Sequence, residues 1–303
     1  MMKKILAILV MMLMCVGMNA QDVTYSQALV DKAESGDAEA MTNLGNCYYY
    51  GNGVTKDYSQ AVYWYKKAAE KGYAGAMNNL GVCYKNGRGV TKDYVQAFYY
   101  FNKAAETGND YAMYNLGECY RNGNGVTKDV SQAVYWYEKA AEKGHNWGMF
   151  NLGLCYFNGE GVTQDYSQAV YWYKKAAEKG HDWAMHNLGL CYKRGEGVTQ
   201  DLTQAAYWFK KAAVKNYDRS IYNLGNCYFY GEGETEDDFK AVYWYKKAAE
   251  LGNYSAMGKL SVCFKKGYGV IKDKKKANLL EKAENEQKAT SGYSEIVYKN
   301  LLL

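Results

Sequence analysis

Apolar residues return along the chain at helical spacing, and the pattern itself then returns. Between 38 and 50, Ala40, Leu44, Cys47 and Tyr48 fall at i, i+4, i+7 and i+8, on one side of a helix. Between 58 and 71, Ala61, Trp64 or Tyr65, and Ala68 form a second stripe, with Lys66, Lys67, Glu70 and Lys71 on the opposite side. The cysteine of the first stripe recurs at Cys83, Cys119, Cys155, Cys191, Cys227 and Cys263, a step of 36 residues without a slip. A helix pair of this size cannot bury its own apolar face and is stable only when neighbouring copies cover it. The predicted fold is therefore all-α, a solenoid of helix-turn-helix repeats in one elongated array.

The flanks of the array follow the same logic. Tyr25, Ala28, Leu29 and Ala33 form half a unit, a leading helix that stops at Gly36 within a capping segment 21–39. The seven copies then occupy 40–291, divided as 40–75, 76–111, 112–147, 148–183, 184–219, 220–255 and 256–291. A last stretch, 292–303, carries Tyr293, Ile296, Val297 and Leu301 and is expected to close the stack as a cap. The seventh copy departs from the others, with Ser261 and Phe264 for Gly and Tyr and Leu279 and Leu280 for the aromatic pair, as a terminal repeat meeting solvent should.

Each connector holds two glycines, as in Gly51-Asn52-Gly53, where the chain must leave a helix and reverse. No copy offers the Gly-Lys-Ser/Thr ending of a phosphate loop, and the connector follows a helix, not a strand. Asp57 recurs as Asp93, Asp129, Asp165, Asp201, Asp237 and Asp273, always just ahead of helix B, the place of an acidic N-cap. Gln60 is expected to close a capping box with it. Gly72, Gly108, Gly144, Gly180 and Gly252 end the units, and Asn216 takes that place once.

Composition adds an address and removes some chemistry. Lys3 and Lys4, the apolar run from Ile5 to Val16, and Ala20 read as a secretory signal, residues 1–20, cleaved to leave Gln21 first. No later stretch is long and apolar enough to span a membrane. The 37 basic side chains, two of which leave with the signal, nearly match 32 acidic ones, so no nucleic-acid partner is expected. A run of lysines, Lys265, Lys266, Lys272, Lys274, Lys275 and Lys276, reads as a solvated end cap. Cysteines at equivalent places in stacked helices stand roughly 8 to 10 Å apart, beyond the reach of a disulfide, so they are expected as small buried thiols. Single histidines and cysteines a repeat apart do not converge on a metal, and neither S-x-x-K nor G-x-S-x-G occurs. No cofactor, metal or enzymatic activity is expected.

The phrase L-G-x-C-Y-x-x-G-x-G-V-x-x-D-x-x-x-A-x-x-W-Y-x-K-A-A-x-x-G, as in Leu152 to Gly180, resembles the Sel-one-like repeat, a relative of the tetratricopeptide repeat. The resemblance covers nearly the whole chain after the signal. It implies a right-handed α/α superhelix that serves as an adaptor for protein–protein interaction, exported in many bacterial members. A cysteine-rich branch of that family ties helix B to the next helix A by a disulfide, and some of its members are linked to β-lactams. Here the matching positions are Ala69 and Met77, so that bridge is absent.

Packing leaves a set of letters that change from copy to copy, the positions of Glu39, Thr42, Asn46 and Tyr49 on helix A. In tetratricopeptide-like stacks this face lines the concave groove. Aromatic and apolar residues gather there in copies three to six: Tyr111, Tyr114, Trp147, Phe150, Leu154, Phe157, Trp183, Leu190, Tyr222 and Phe229. His186 and the cations Arg121, Lys193 and Arg219 stand among them. This face is the candidate site for a protein or peptide partner, on a monomer; a cell-wall or β-lactam ligand and a glycan are the alternatives. Asn43 recurs beside it as Asn79, Asn115, Asn151, Asn187 and Asn223, either to hold a peptide or to bond helix to helix.

Overall fold

The computed structural model describes residues 23–290, and the signal segment and the expected C-terminal cap at 292–303 lie outside them. Among the described residues there are helices and no strands. A leading helix α1 (Gln27–Glu34) is followed by α2 (Ala38–Tyr50), α3 (Tyr58–Glu70), α4 (Ala74–Asn86), α5 (Tyr94–Glu106), α6 (Asp110–Asn122), α7 (Val130–Glu142) and α8 (Asn146–Asn158). Then come α9 (Tyr166–Glu178), α10 (Asp182–Arg194), α11 (Leu202–Val214), α12 (Asp218–Tyr230), α13 (Asp238–Glu250), α14 (Tyr254–Lys266) and α15 (Lys274–Thr290). The described residues divide into two compact units, 23–164 and 165–290. Within each, every helix packs on the next, so the fold is a solenoid of A and B helices. None of the described helices is long and apolar enough to cross a membrane.

The turns are built as the residue types dictate. Gly87 ends α4 at φ 67°, and its amide returns to the Cys83 carbonyl; the second glycine of that connector, Gly89, has φ 72°. A Cβ on Gly89 would stand 2.1 Å from the Tyr58 carbonyl oxygen, at the start of the preceding copy's helix B. One glycine thus serves the turn and the other the seam between copies. Asn216 is the one described residue other than glycine with positive φ, at 60°.

Each aspartate caps helix B: the Asp57 carboxylate accepts from the Ser59 and Gln60 amides at 2.8 and 3.1 Å, and Asp273 accepts from Lys276 at 2.9 Å. The capping box is not formed with Gln60. The Asp57 amide instead donates to the Tyr48 carbonyl at 2.9 Å, and Asp93, Asp129, Asp201 and Asp237 repeat this bond to Tyr84, Tyr120, Tyr192 and Tyr228. A carbonyl in the last turn of helix A, left without a helical partner, takes the donor that a glutamine would have used. One residue therefore starts helix B and ties it to helix A.

The core lies between A and B helices. Leu44, Leu80, Leu116, Leu188 and Leu224 are fully buried, as are the aromatics Tyr65, Phe101, Tyr137, Phe209 and Tyr245 of the B helices. Each such side chain contributes roughly 1.5–3 kcal/mol by leaving water. The aromatic ring is packed against a glycine of helix A: a Cβ on Gly117 would stand 2.6 Å from the Tyr137 ring. The seventh copy, with Glu281 where a ring would be, carries Ser261 instead of that glycine, and its hydroxyl bonds the Ala277 carbonyl at 2.9 Å.

The seven cysteines of the repeats are buried and free, as small apolar fillers should be. Burial pushes the Cys83 and Cys191 thiols up to about 12 and Cys119 to about 11, which removes the reactive thiolate at neutral pH.

Candidate functional site

The changing positions of helix A form four rows, and the structure treats them differently. The leading row is Glu39, Gly75, Tyr111 and Trp147 in the first unit and Trp183, Arg219 and Ser255 in the second. Tyr111, Trp147 and Trp183 are half-buried and Arg219 is exposed. Three residues on, in the inner row, Thr42, Asn78, Tyr114, Phe150 and His186 are all buried, with Phe150 at 3 % and Tyr114 at 8 % exposure. Only Tyr222 and Gly258 in that row are half-buried. Of the candidate residues on this face, Tyr114, Phe150 and His186 are therefore buried along its middle row.

For Tyr114 and His186 the cover comes from the neighbouring N-cap. His145, which caps α8, stacks on Tyr114 with centroids 4.9 Å apart and meets Tyr111 edge-on at 4.7 Å. In the second unit Tyr217, ahead of α12, meets His186 at 5.1 Å and Trp183 at 6.3 Å. His186 also bonds the Ser220 hydroxyl through Nδ1 at 2.8 Å. Both histidines are held neutral. Burial pushes His145 down to about 4, and burial with Arg219 and Arg194 nearby does the same to His186. His145 needs that form, because its Nδ1 accepts the Gly148 amide at 3.1 Å as the helix cap.

The third row pairs with helix B of its own copy. Asn46 accepts the Tyr65 hydroxyl at 2.7 Å, Glu118 accepts that of Tyr137, and in the second unit Asn226 accepts that of Tyr245 at 2.8 Å. At Val82 and Leu190, where the row is apolar, helix B supplies Phe101 and Phe209, which have no hydroxyl to satisfy, whereas Leu154 is followed nineteen residues later by Tyr173. In the copies of Val82 and Leu190 the change at one position is thus matched nineteen residues later. Leu154 and Leu190 of the expected site are half-buried in this row.

The recurring asparagines bond helix to helix in the first unit. Asn79 donates to Asn46 at 3.1 Å, Asn115 to Asn78 at 3.0 Å and Asn151 to Glu118 at 3.1 Å. Each links one copy to the copy before it, the second of the two roles the sequence allowed.

The last row is half-buried and mixed in character: Arg121 and Phe157 in the first unit, Lys193 and Phe229 in the second. Arg121 faces Glu160 at 3.6 Å and Lys193 faces Glu232 at 2.6 Å, each an acid from the next connector. The leading and last rows thus flank the closed inner row with aromatics and partly paired cations, a surface that can hold an extended chain by ring contacts and ion exchange. Among the described residues no three of His, Cys, Asp and Glu are grouped to hold a metal.

One regular surface was missed by reading only the irregular letters. Tyr63, Tyr99 and Tyr135 in the first unit and Tyr171, Tyr207 and Tyr243 in the second are 46–51 % exposed on the B helices. Each carries the ammonium of the lysine four residues on: Lys67 stands 4.6 Å from the Tyr63 centroid and Lys175 4.5 Å from that of Tyr171. The i, i+4 spacing of tyrosine and lysine in every such copy was the available signal.

The Sel1 repeat family pattern matches seven segments, 38–73, 74–109, 110–145, 148–181, 184–217, 218–253 and 255–280. The fold is similar to that of a protective antigen of uropathogenic Escherichia coli displaying an SLR fold, at 39 % identity and TM-score 0.82. The match covers 88 % of this chain and 57 % of that one, so the chain spans little more than half of the antigen's length. A Sel1 repeat protein from Oxalobacter formigenes matches at 33 % identity and TM-score 0.70, over 80 % of this chain and 96 % of that one. A comparison with curated proteins gives no match.

Proposed function

The chain belongs to the Sel1 repeat family, and from that premise we propose that it is an exported, non-enzymatic scaffold that holds a protein or peptide segment on the outer rows of its A helices. The supporting observation is that the outer rows keep part of their surface in water and change in chemistry from copy to copy. Tyr111, Trp147, Phe157 and Arg121 do so in the first unit, and Trp183, Lys193, Arg219 and Phe229 in the second, with Tyr222 of the inner row half-buried beside them. A side chain that both varies and stays in contact with water can read a partner. Tyr114, Phe150 and His186 support the surface from beneath, and Leu154 and Leu190 fill its floor.

Export rests on the signal pattern of residues 1–20 and is supported by the antigen relative, a protein that a host's defences meet. The chain acts as a monomer in the periplasm or outside the cell. Crosslinked capture from the native envelope tests the reading. Trp147→Ala and Trp183→Ala, separately and together, should lose the captured protein while the melting temperature stays within a few degrees. Capture that survives both substitutions overturns it.

A further inference from the structure

In the second unit the last row opens into a cleft of about 360 Å³ between α12, α14 and the connectors that follow them. Its floor is a corner of three rings. Phe229 meets Tyr230 edge-on at 4.9 Å and Tyr268 at 5.7 Å, and Tyr230 and Tyr268 are 50 % and 42 % exposed. Over that floor stands an ammonium of the chain itself: Lys259 Nζ lies 4.9 Å from the Tyr230 centroid and 5.7 Å from that of Phe229, and donates to the Tyr230 hydroxyl.

Two carboxylates border the cleft, Glu236 and Asp238. Neither has an ion pair among the described residues, whereas Asp237 between them caps α13 and pairs with Lys240 at 3.3 Å. Of the other cations nearby, Lys240 lies over Tyr228 at 5.3 Å, Lys265, further along α14, faces Glu281 at 3.9 Å, and Lys272 packs along Gly267 in the connector after α14. The cleft's lining therefore carries two acids against one base, and aromatic rings beside which an ammonium already stands.

We infer that this cleft is a binding site for a lysine side chain of a basic peptide, with Lys259 as the internal occupant that the ligand displaces. The incoming ammonium takes the ring faces and the two carboxylates, while its four-carbon stem lies along Val262, which is 43 % exposed. Lys259 is half-buried, and rotation about its four-carbon stem would carry its ammonium to solvent without moving the backbone. This deepens the scaffold reading only in that Phe229 and Val262 belong to the A-helix face.

The test uses the full chain and Nα-acetyl-lysine methylamide, followed through the Val262 methyl and Tyr230 ring signals by NMR. The expected result is a saturable shift that the norleucine analogue, which lacks the ammonium, does not give. Lys259→Met should tighten binding about threefold, and Glu236→Gln with Asp238→Asn should weaken it about tenfold. Equal shifts from the norleucine analogue overturn the inference, as does a lysine probe that fails to saturate even with Lys259→Met. Because the probe is a defined small molecule and capture through Trp147 and Trp183 is read separately, a failed cleft and a failed scaffold give different results.

Discussion

Tyr111, Trp147 and Trp183 stand three residues ahead of Tyr114, Phe150 and His186 on the same helices, yet the two rows have separate tasks. The leading row is half-buried and the inner row is interior. Three residues of helix turn a side chain by about 60° back from its starting direction, enough to move it from the edge of a seam to its middle. Variation in the inner row is answered by the next copy's cap, His145 or Tyr217, and by Ser220. The same caps also touch Tyr111 and Trp183 of the leading row, but those side chains keep part of their surface in water, which is why partner recognition is proposed there. A residue that varies is thus not by that fact a residue that binds.

The comparison breaks most readily at Phe150 and Trp147. Phe150→Ala should cost about 3–4 kcal/mol in chemical unfolding, because it empties a closed site, while Trp147→Ala should cost less than half of that. Equal losses would mean that the two rows are one core.

A somewhat smaller effect is expected in the third row. Glu118→Val strands the Tyr137 hydroxyl and the Asn151 amide, and should cost about 2–3 kcal/mol. Adding Tyr137→Phe rebuilds the Val82 and Phe101 arrangement of the second copy and should recover about half of that loss in a double-mutant cycle. No recovery would show that the hydroxyl plays no part in the coupling.

Acid offers a third test, of about 2 kcal/mol. An unfolded histidine titrates near 6.5 and His145 in the fold near 4, so the unfolded chain binds the extra proton first. Its contribution is full above about pH 6.5 and fades as the pH falls toward 4, by at most about 1.4 kcal/mol per pH unit. His145→Asn keeps a cap of the kind Asn109 provides for α6, where its Oδ1 accepts the Ala112 amide at 2.8 Å, and should flatten this slope in unfolding curves taken between pH 7 and 4. An unchanged slope would place the acid sensitivity elsewhere.

The smallest effect belongs to the B-helix stripe, where Tyr207→Ala removes an exposed ring and its contact with Lys211 and should cost less than about 1 kcal/mol. A larger loss in thermal unfolding would make that stripe part of the core and extend the inner row's behaviour to the second helix.

The amino-acid sequence by itself determined the repeat, the two helices of each copy, their aspartate caps, their glycine turns and the burial of the cysteines. These follow from local rules: a 3.6-residue stripe, a free amide at a helix start and a backbone angle that suits glycine. Only the tertiary structure decided that the Asp57 amide goes to the Tyr48 carbonyl and not to Gln60, that Asn79 and Asn151 bind the preceding copy, and that Phe150 lies inside while Trp147 lies at the edge. The physical reason is that a helical stripe fixes directions around its own axis, whereas burial depends on which side chain of the next copy reaches over it. His145 and Tyr217 do that from a turn that the stripe does not include.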